Sequence, residues 1–176
     1  MKMLAGALLR RGRRRLGELG PHLHLKVVSS KEVASPFYSK IEIGEQGGGR
    51  PHHLTADEPV SVGGVDAGPS PYDYLLTALG ACTNMTIRMY AERKGIKLDE
   101  VIVDCTHDKI HAKDCQECDH DKGLKQFDKM KRVITLKGDF TDEQKKRMLQ
   151  IANMCPVHKT LENGSAHIVT TLADEE

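Results

Sequence analysis

Ser70-Pro71-Tyr72-Asp73-Tyr74-Leu75-Leu76-Thr77-Ala78-Leu79-Gly80-Ala81-Cys82-Thr83 is the stretch on which the reading of this chain turns. Ser70 is a good N-cap. Pro71 suits the first helical position, where its missing N–H leaves no bond unmade, and Asp73 suits the positive end of the helix dipole. The helical pattern continues through Met85, Ile87 and Met89 to Arg93 and Lys94, and Gly95 supplies the stop. The first half of this segment is apolar or small on every side, which predicts a long, central, buried helix. Cys82 lies inside it, where a small hydrophobe would serve packing equally well. Two readings follow: a reactive thiol, or an inert core cysteine.

Working outward, Thr141-Asp142-Glu143-Gln144 has the capping-box pattern and opens a second, amphipathic helix with Met148, Leu149, Ile151 and Ala152 inward. That helix is expected to carry Cys155 and to be broken by Pro156. A short turn and a last strand, His167 to Leu172, follow. Strands are also expected at Leu25 to Val28, Phe37 to Ile43 and His53 to Val60, the last cut by Pro59. Val101 to Val103 and Arg132 to Leu136 predict two more, flanking a charged connection. Helices and strands mix without regular alternation, so the expected class is α+β.

The 176 residues suit one domain, and a formal net charge of +1 offers no attraction to nucleic acid or an anionic membrane. The absence of Trp also argues against a base-stacking surface. No apolar run is long enough to span a membrane. Five cysteines at uneven spacing do not form a secreted disulfide framework, which points to a reducing compartment. Met1 to Leu16 carries five arginines and a lysine with no acid and a partial apolar face. Residues 1–24 therefore read as a basic extension apart from the domain at 25–173. It is either a mitochondrial transit peptide or, in a cytoplasmic protein, a plain basic tail.

A reactive thiol must be a thiolate at neutral pH, and a nearby cation keeps it so. Cys82 would sit about three turns inside its helix, beyond the reach of the macrodipole. An arginine from elsewhere is required. Arg50 is the best candidate, since Arg88 lies six residues on from Cys82, on the wrong helix face.

Asp66 to Thr83, together with Cys155-Pro156-Val157-His158-Lys159-Thr160-Leu161, closely resembles the OsmC/Ohr family. The segment His52-His53-Leu54-Thr55-Ala56-Asp57-Glu58-Pro59 is similar to that of its OsmC-like branch. The resemblance implies a domain-swapped α+β homodimer with active sites at the subunit interface, acting as a thiol-dependent peroxidase on organic hydroperoxides. It implies Cys82 as the peroxidatic residue, which becomes a sulfenic acid, and Cys155 as the resolving one. The resulting disulfide would be reduced by a dithiol such as a lipoylated protein, with no cofactor required. The family glutamate ten residues before the first cysteine is Tyr72 here, so Asp73 or Glu58 is expected to pair with Arg50, or the pair is absent. The competing expectation is a non-enzymatic thiol or zinc-binding stress protein of the same fold.

Cys105, His107, His111, Asp114, Cys115, Cys118 and His120 crowd the expected connection between two strands. Cys115-x-x-Cys118 with His111 or His120 has donor types and spacing that suit zinc, although the second paired half of a finger signature is missing. A labile disulfide and a solvated loop are the alternatives. His158 is expected to cap a helix end or bond a carbonyl, with contact to the thiol pocket as the alternative. Met85, Met89 and Met154 are expected to pack in the core, with an apolar entrance as the alternative.

Overall fold

The computed structural model describes residues 25–29, 35–44, 50–111, 126–164 and 166–172. They belong to two compact units that part between Gly68 and Pro69.

In the first unit, β1 (Leu25–Val28), β2 (Ser39–Ile43) and β3 (His52–Ala56) form an antiparallel sheet in the order β1-β2-β3. Val27 pairs with Ile41 and Ile41 with Leu54, placing apolar residues on one face. Asp57, just after β3, organises the turn that follows. Its carboxylate accepts from Ser35 Oγ at 2.6 Å, from the Val65 N–H at 3.0 Å and from the Ala67 N–H at 3.2 Å. These bonds, the Ser35 bond foremost, hold its carboxyl at about 2 although burial opposes ionisation. Gly64 lets the chain pass there, because a Cβ at that position would overlap the Glu58 carbonyl. Asp57 thus gives the His52–Pro59 segment a structural role.

The second unit opens with α1 (Pro71–Lys94). The sequence places both ends correctly. Ser70 Oγ accepts from the Asp73 N–H, the Asp73 carboxylate accepts from the Ser70 N–H, and Gly95 closes the helix in the left-handed region at φ +66°. Two long strands, β4 (Lys97–His111) and β5 (Gln126–Asp139), then pair antiparallel. They extend well beyond the short apolar cores read from sequence, because the outer residues join the ladder through backbone bonds that need no apolar side chain. Cys105, His107 and His111 therefore lie on β4, not in the connection. Next come α2 (Asp142–Ala152), with the expected Thr141–Gln144 capping box, and α3 (Pro156–Asn163).

Three expectations are corrected. The first concerns α1, which buries a stripe and not its whole circumference. Leu79, Thr83, Ile87 and Ala91 recur every four residues, while Met85 and Met89 are exposed. Ile87 and Ala91 pack with Val101, Met148 and Ala152 into the core. None of Met85, Met89 and Met154 is a core residue, since all three are at least half exposed. Second, Pro156 does not merely end a helix. Helix α2 stops at Ala152, Pro156 occupies the first position of a further helix, and Cys155 is its N-cap in the turn between the two. Third, residues 166–172 form no strand, and Ile168, Val169 and Leu172 are exposed. A strand exists only through a ladder partner, and none of the described strands pairs with this segment. No helix among the described residues is long and apolar enough to cross a membrane.

Candidate active site

Cys82 is half-buried on α1, and Cys155 is completely buried in the turn between α2 and α3. Both are free thiols. The fold brings them together although they stand 73 positions apart in the chain, with a hydrogen bond between the two side chains. The turn is tight: Met154 N–H donates to Ile151 O at 2.9 Å and Cys155 N–H to Ala152 O at 3.3 Å. Beyond it, the first turn of α3 closes with Lys159 N–H on Cys155 O at 3.1 Å.

Burial pushes the Cys82 thiol up, and the bond with Cys155 adds to this. The Val157 N–H at the start of α3 and the Thr86 hydroxyl act in the opposite direction, because both stabilise a thiolate. The Val157 N–H is one of the unpaired donors that every helix N-terminus presents, and here it is turned to sulfur. None of these groups carries a positive charge. The arrangement supplies a resolving partner and an oriented donor, and it leaves the cation to be provided by another group.

Arg50 and Glu58 belong to the first unit, Arg50 exposed and Glu58 half-buried. The Asp73 carboxylate is engaged in the helix cap, accepting from Ser70 N–H at 2.9 Å and Ser70 Oγ at 2.8 Å, and the Ser70 hydroxyl bond holds its carboxyl below the usual range. Arg88 turns away from the thiols, as expected, to Asn84 Oδ1 at 3.2 Å and Asp99 O at 3.4 Å. His111 is exposed at the end of β4. Asp114, Cys115, Cys118 and His120, and with them the zinc expectation, lie outside the described residues, as does the basic extension. Among the described residues no cluster of metal-ligating side chains forms.

Sequence reasoning missed Arg132. This residue of β5 is half-buried and sits directly against the segment that carries Cys155. Its Nη1 donates to Thr83 Oγ1 at 2.8 Å and to Ala152 O at 3.3 Å. Its Nη2 donates to Asn153 Oδ1 at 3.1 Å and to His158 Nδ1 at 3.0 Å. His158 therefore bonds a guanidinium, in place of the helix-end cap or carbonyl bond expected of it. Burial, and then the Arg132 charge, lower its pKa. A signal was present in the alternation Met130, Arg132, Ile134, Leu136, which puts an arginine on the inward face of a strand. Cys105 pairs with Arg132 across the ladder; burial raises its thiol and the Arg132 charge partly offsets this.

A groove of about 350 Å³ lies between α1, β5 and α3, walled by Leu75, Leu79, Met130 and Leu161. Arg132 and His158 also line it, as do Tyr72, Asp128 and Glu162.

Residues 64–170 match the family described as OsmC-like protein. No curated protein sequence matches the chain at a significant level. Among solved structures, the chain is similar to a candidate osmotic stress induced and detoxification response protein from Psychrobacter arcticus 273-4. That match has a TM-score of 0.58 at 20% identity and covers 77% of this chain and 85% of the other. An OsmC-like protein from Mycoplasma pneumoniae gives 0.57 at 17% identity, covering 82% and 89%. The organic hydroperoxide resistance protein OsmC from Legionella pneumophila gives 0.55 at 14% identity, covering 80% and 88%. At these identities the structures establish a shared fold.

Proposed function

The chain belongs to the OsmC-like protein family, and on that footing we propose that it is a thiol-dependent peroxidase that reduces organic hydroperoxides. The observation that carries this reading is the Cys82–Cys155 contact between two free thiols. The name of the Legionella relative, an organic hydroperoxide resistance protein, supports the substrate class. The Cys82 thiol releases its proton, the thiolate attacks the outer oxygen of the hydroperoxide, the O–O bond breaks, and the departing alkoxide takes up a proton in turn and leaves as the alcohol. Cys82 is now a sulfenic acid. The Cys155 thiol attacks that sulfur, a disulfide forms and water departs. An external dithiol, for which a lipoylated protein has the right chemistry, then returns both cysteines to thiols.

The raised Cys82 pKa makes a cation the missing requirement, and Arg50 is assigned that role in this proposal, with Glu58 or Asp73 to orient it. Assembly as a homodimer is part of the same reading. It is supported by the exposed apolar positions Met85 and Met89 on α1 and by Ile168, Val169 and Leu172 on a segment that pairs with none of the described strands.

The test is turnover of cumene hydroperoxide with dihydrolipoamide, for the wild type and Cys82→Ser. Loss of turnover in the variant is expected. Equal rates would remove the proposal.

A further inference from the structure

We infer that Arg132 is the positioning residue of the thiol pair: its guanidinium holds the turn carrying Cys155 against the helix carrying Cys82. The inference rests on the reading of these cysteines as a redox pair, and it assigns Arg132 no contact with substrate.

The geometry is that of a single fork gripping three elements. On one side, Nη1 bonds the hydroxyl of Thr83, the residue immediately after Cys82. That hydroxyl is fully committed, since it also donates to Leu79 O at 2.7 Å inside α1. On the other side, Nη1 bonds the carbonyl of Ala152, the last residue of α2, and Nη2 bonds the side chain of Asn153, the first residue of the turn. The second Nη2 bond goes to His158 on α3, three residues past Cys155. The turn is thereby held at both ends by one rigid, planar group, and that group is anchored next to Cys82.

All four bonds go to neutral acceptors. His158 accepts at Nδ1, so its ring is neutral with its proton on Nε2. Lysine could not reproduce this, because a point charge has no fork. The chemical need is clear. Disulfide formation demands a narrow sulfur–sulfur geometry; the backbone bonds of the Cys155 turn set its local shape, and the Arg132 fork ties that turn to the residue beside Cys82. Orientation of two groups within one molecule is a large factor in their reaction.

The experiment measures the Cys82–Cys155 equilibrium in mixtures of oxidised and reduced dithiothreitol, with no peroxide present. The two thiols give up two electrons and two protons as their S–S bond forms, and the reagent's S–S bond breaks to take them up. The Cys82–Cys155 peptide is quantified by mass spectrometry, and folding is followed by far-ultraviolet circular dichroism. Arg132→Ala is expected to shift the equilibrium toward the dithiol by about tenfold. His158→Ala should shift it in the same direction. His158→Gln, whose amide oxygen can accept the Nη2 bond, should recover most of the loss.

An equilibrium unchanged in folded Arg132→Ala overturns the inference. Should Arg132→Ala not fold, the two His158 variants decide: equal values for Ala and Gln overturn it. Failure of the wild type to form this disulfide overturns it too, whatever the hydroperoxide assay returns. Disulfide formation with the expected variant order, but without cumene hydroperoxide turnover, sustains it while removing the peroxidase reading.

Discussion

Tyr72 lies on His107, with ring centroids 4.2 Å apart and planes inclined by 15°. Its hydroxyl donates to Asp128 Oδ1 at 3.3 Å, and the same oxygen is 2.9 Å from His107 Nε2. The His107 bond, first among several contacts, holds the Asp128 carboxyl below its usual range. The position at which the family resemblance implies a glutamate is therefore occupied by a ring that joins the first turn of α1 to the β4–β5 hairpin. Tyr72→Ala should lose about 0.5–1.5 kcal/mol of stability through the stack. Tyr72→Phe keeps the stack and gives up an exposed hydrogen bond worth about 0.5 kcal/mol. Urea midpoints at unchanged slope check both; equal losses would show that the hydroxyl, not the ring, matters.

Asp57 makes the first unit acid-sensitive. Its carboxyl lies at about 2 in the fold against an ordinary 3.8. A depressed carboxyl contributes stability that is fully present above the unfolded value and is lost as pH falls through the folded one. The window is therefore between about pH 4 and pH 2. Thermal melts of the full chain across this range should show the loss in the wild type. In Asp57→Asn the protein should be less stable at neutral pH and lack that contribution to the acid transition.

Adjacent residues on α2 offer a contrast in packing. Met148 is completely buried in the core, whereas Leu149, expected inward from the sequence, is 55% exposed because it falls outside the buried stripe of Met148, Ile151 and Ala152. Met148→Ala should cost about 2–5 kcal/mol, from lost burial plus the cavity left behind. Leu149→Ala should stay within about 0.5 kcal/mol. Denaturant unfolding of the two variants distinguishes them, and similar costs would contradict the assignment of the inward face.

The charge assigned to Arg50 has its own readout. The groups that touch Cys82 leave its thiol raised, so an added cation must lower it for the thiolate to form near neutral pH. Iodoacetamide labelling of Cys82 against pH should therefore move to higher pH in Arg50→Ala. Superimposable profiles would remove Arg50 from the proposal and leave the thiol pair in place.

The chain announces its helix starts because a cap is a local event. Ser70 and Thr141 each meet an N–H three residues ahead, so a few adjacent side chains are enough to read the boundary. Pro156 is legible by the same rule, as a first helical position, but a proline also ends helices, and local pattern does not tell a breaker from a starter. The alternation of β5 likewise contained Arg132. An inward arginine is visible from spacing alone; what it grips is not.

The order of helices and strands through α2, the two cysteines and the α+β class were thus written in the local pattern of residues, which acts over one or two turns and needs no distant partner. Only the tertiary structure decided that one stripe of α1 is buried, that residues 166–172 pair with none of the described strands, and that Arg132 joins three elements beside the thiols. These features depend on residues far apart in the chain meeting in space, 20 to 49 positions apart for the Arg132 bonds to Ala152 and Thr83, and periodicity carries no information about which distant groups will meet.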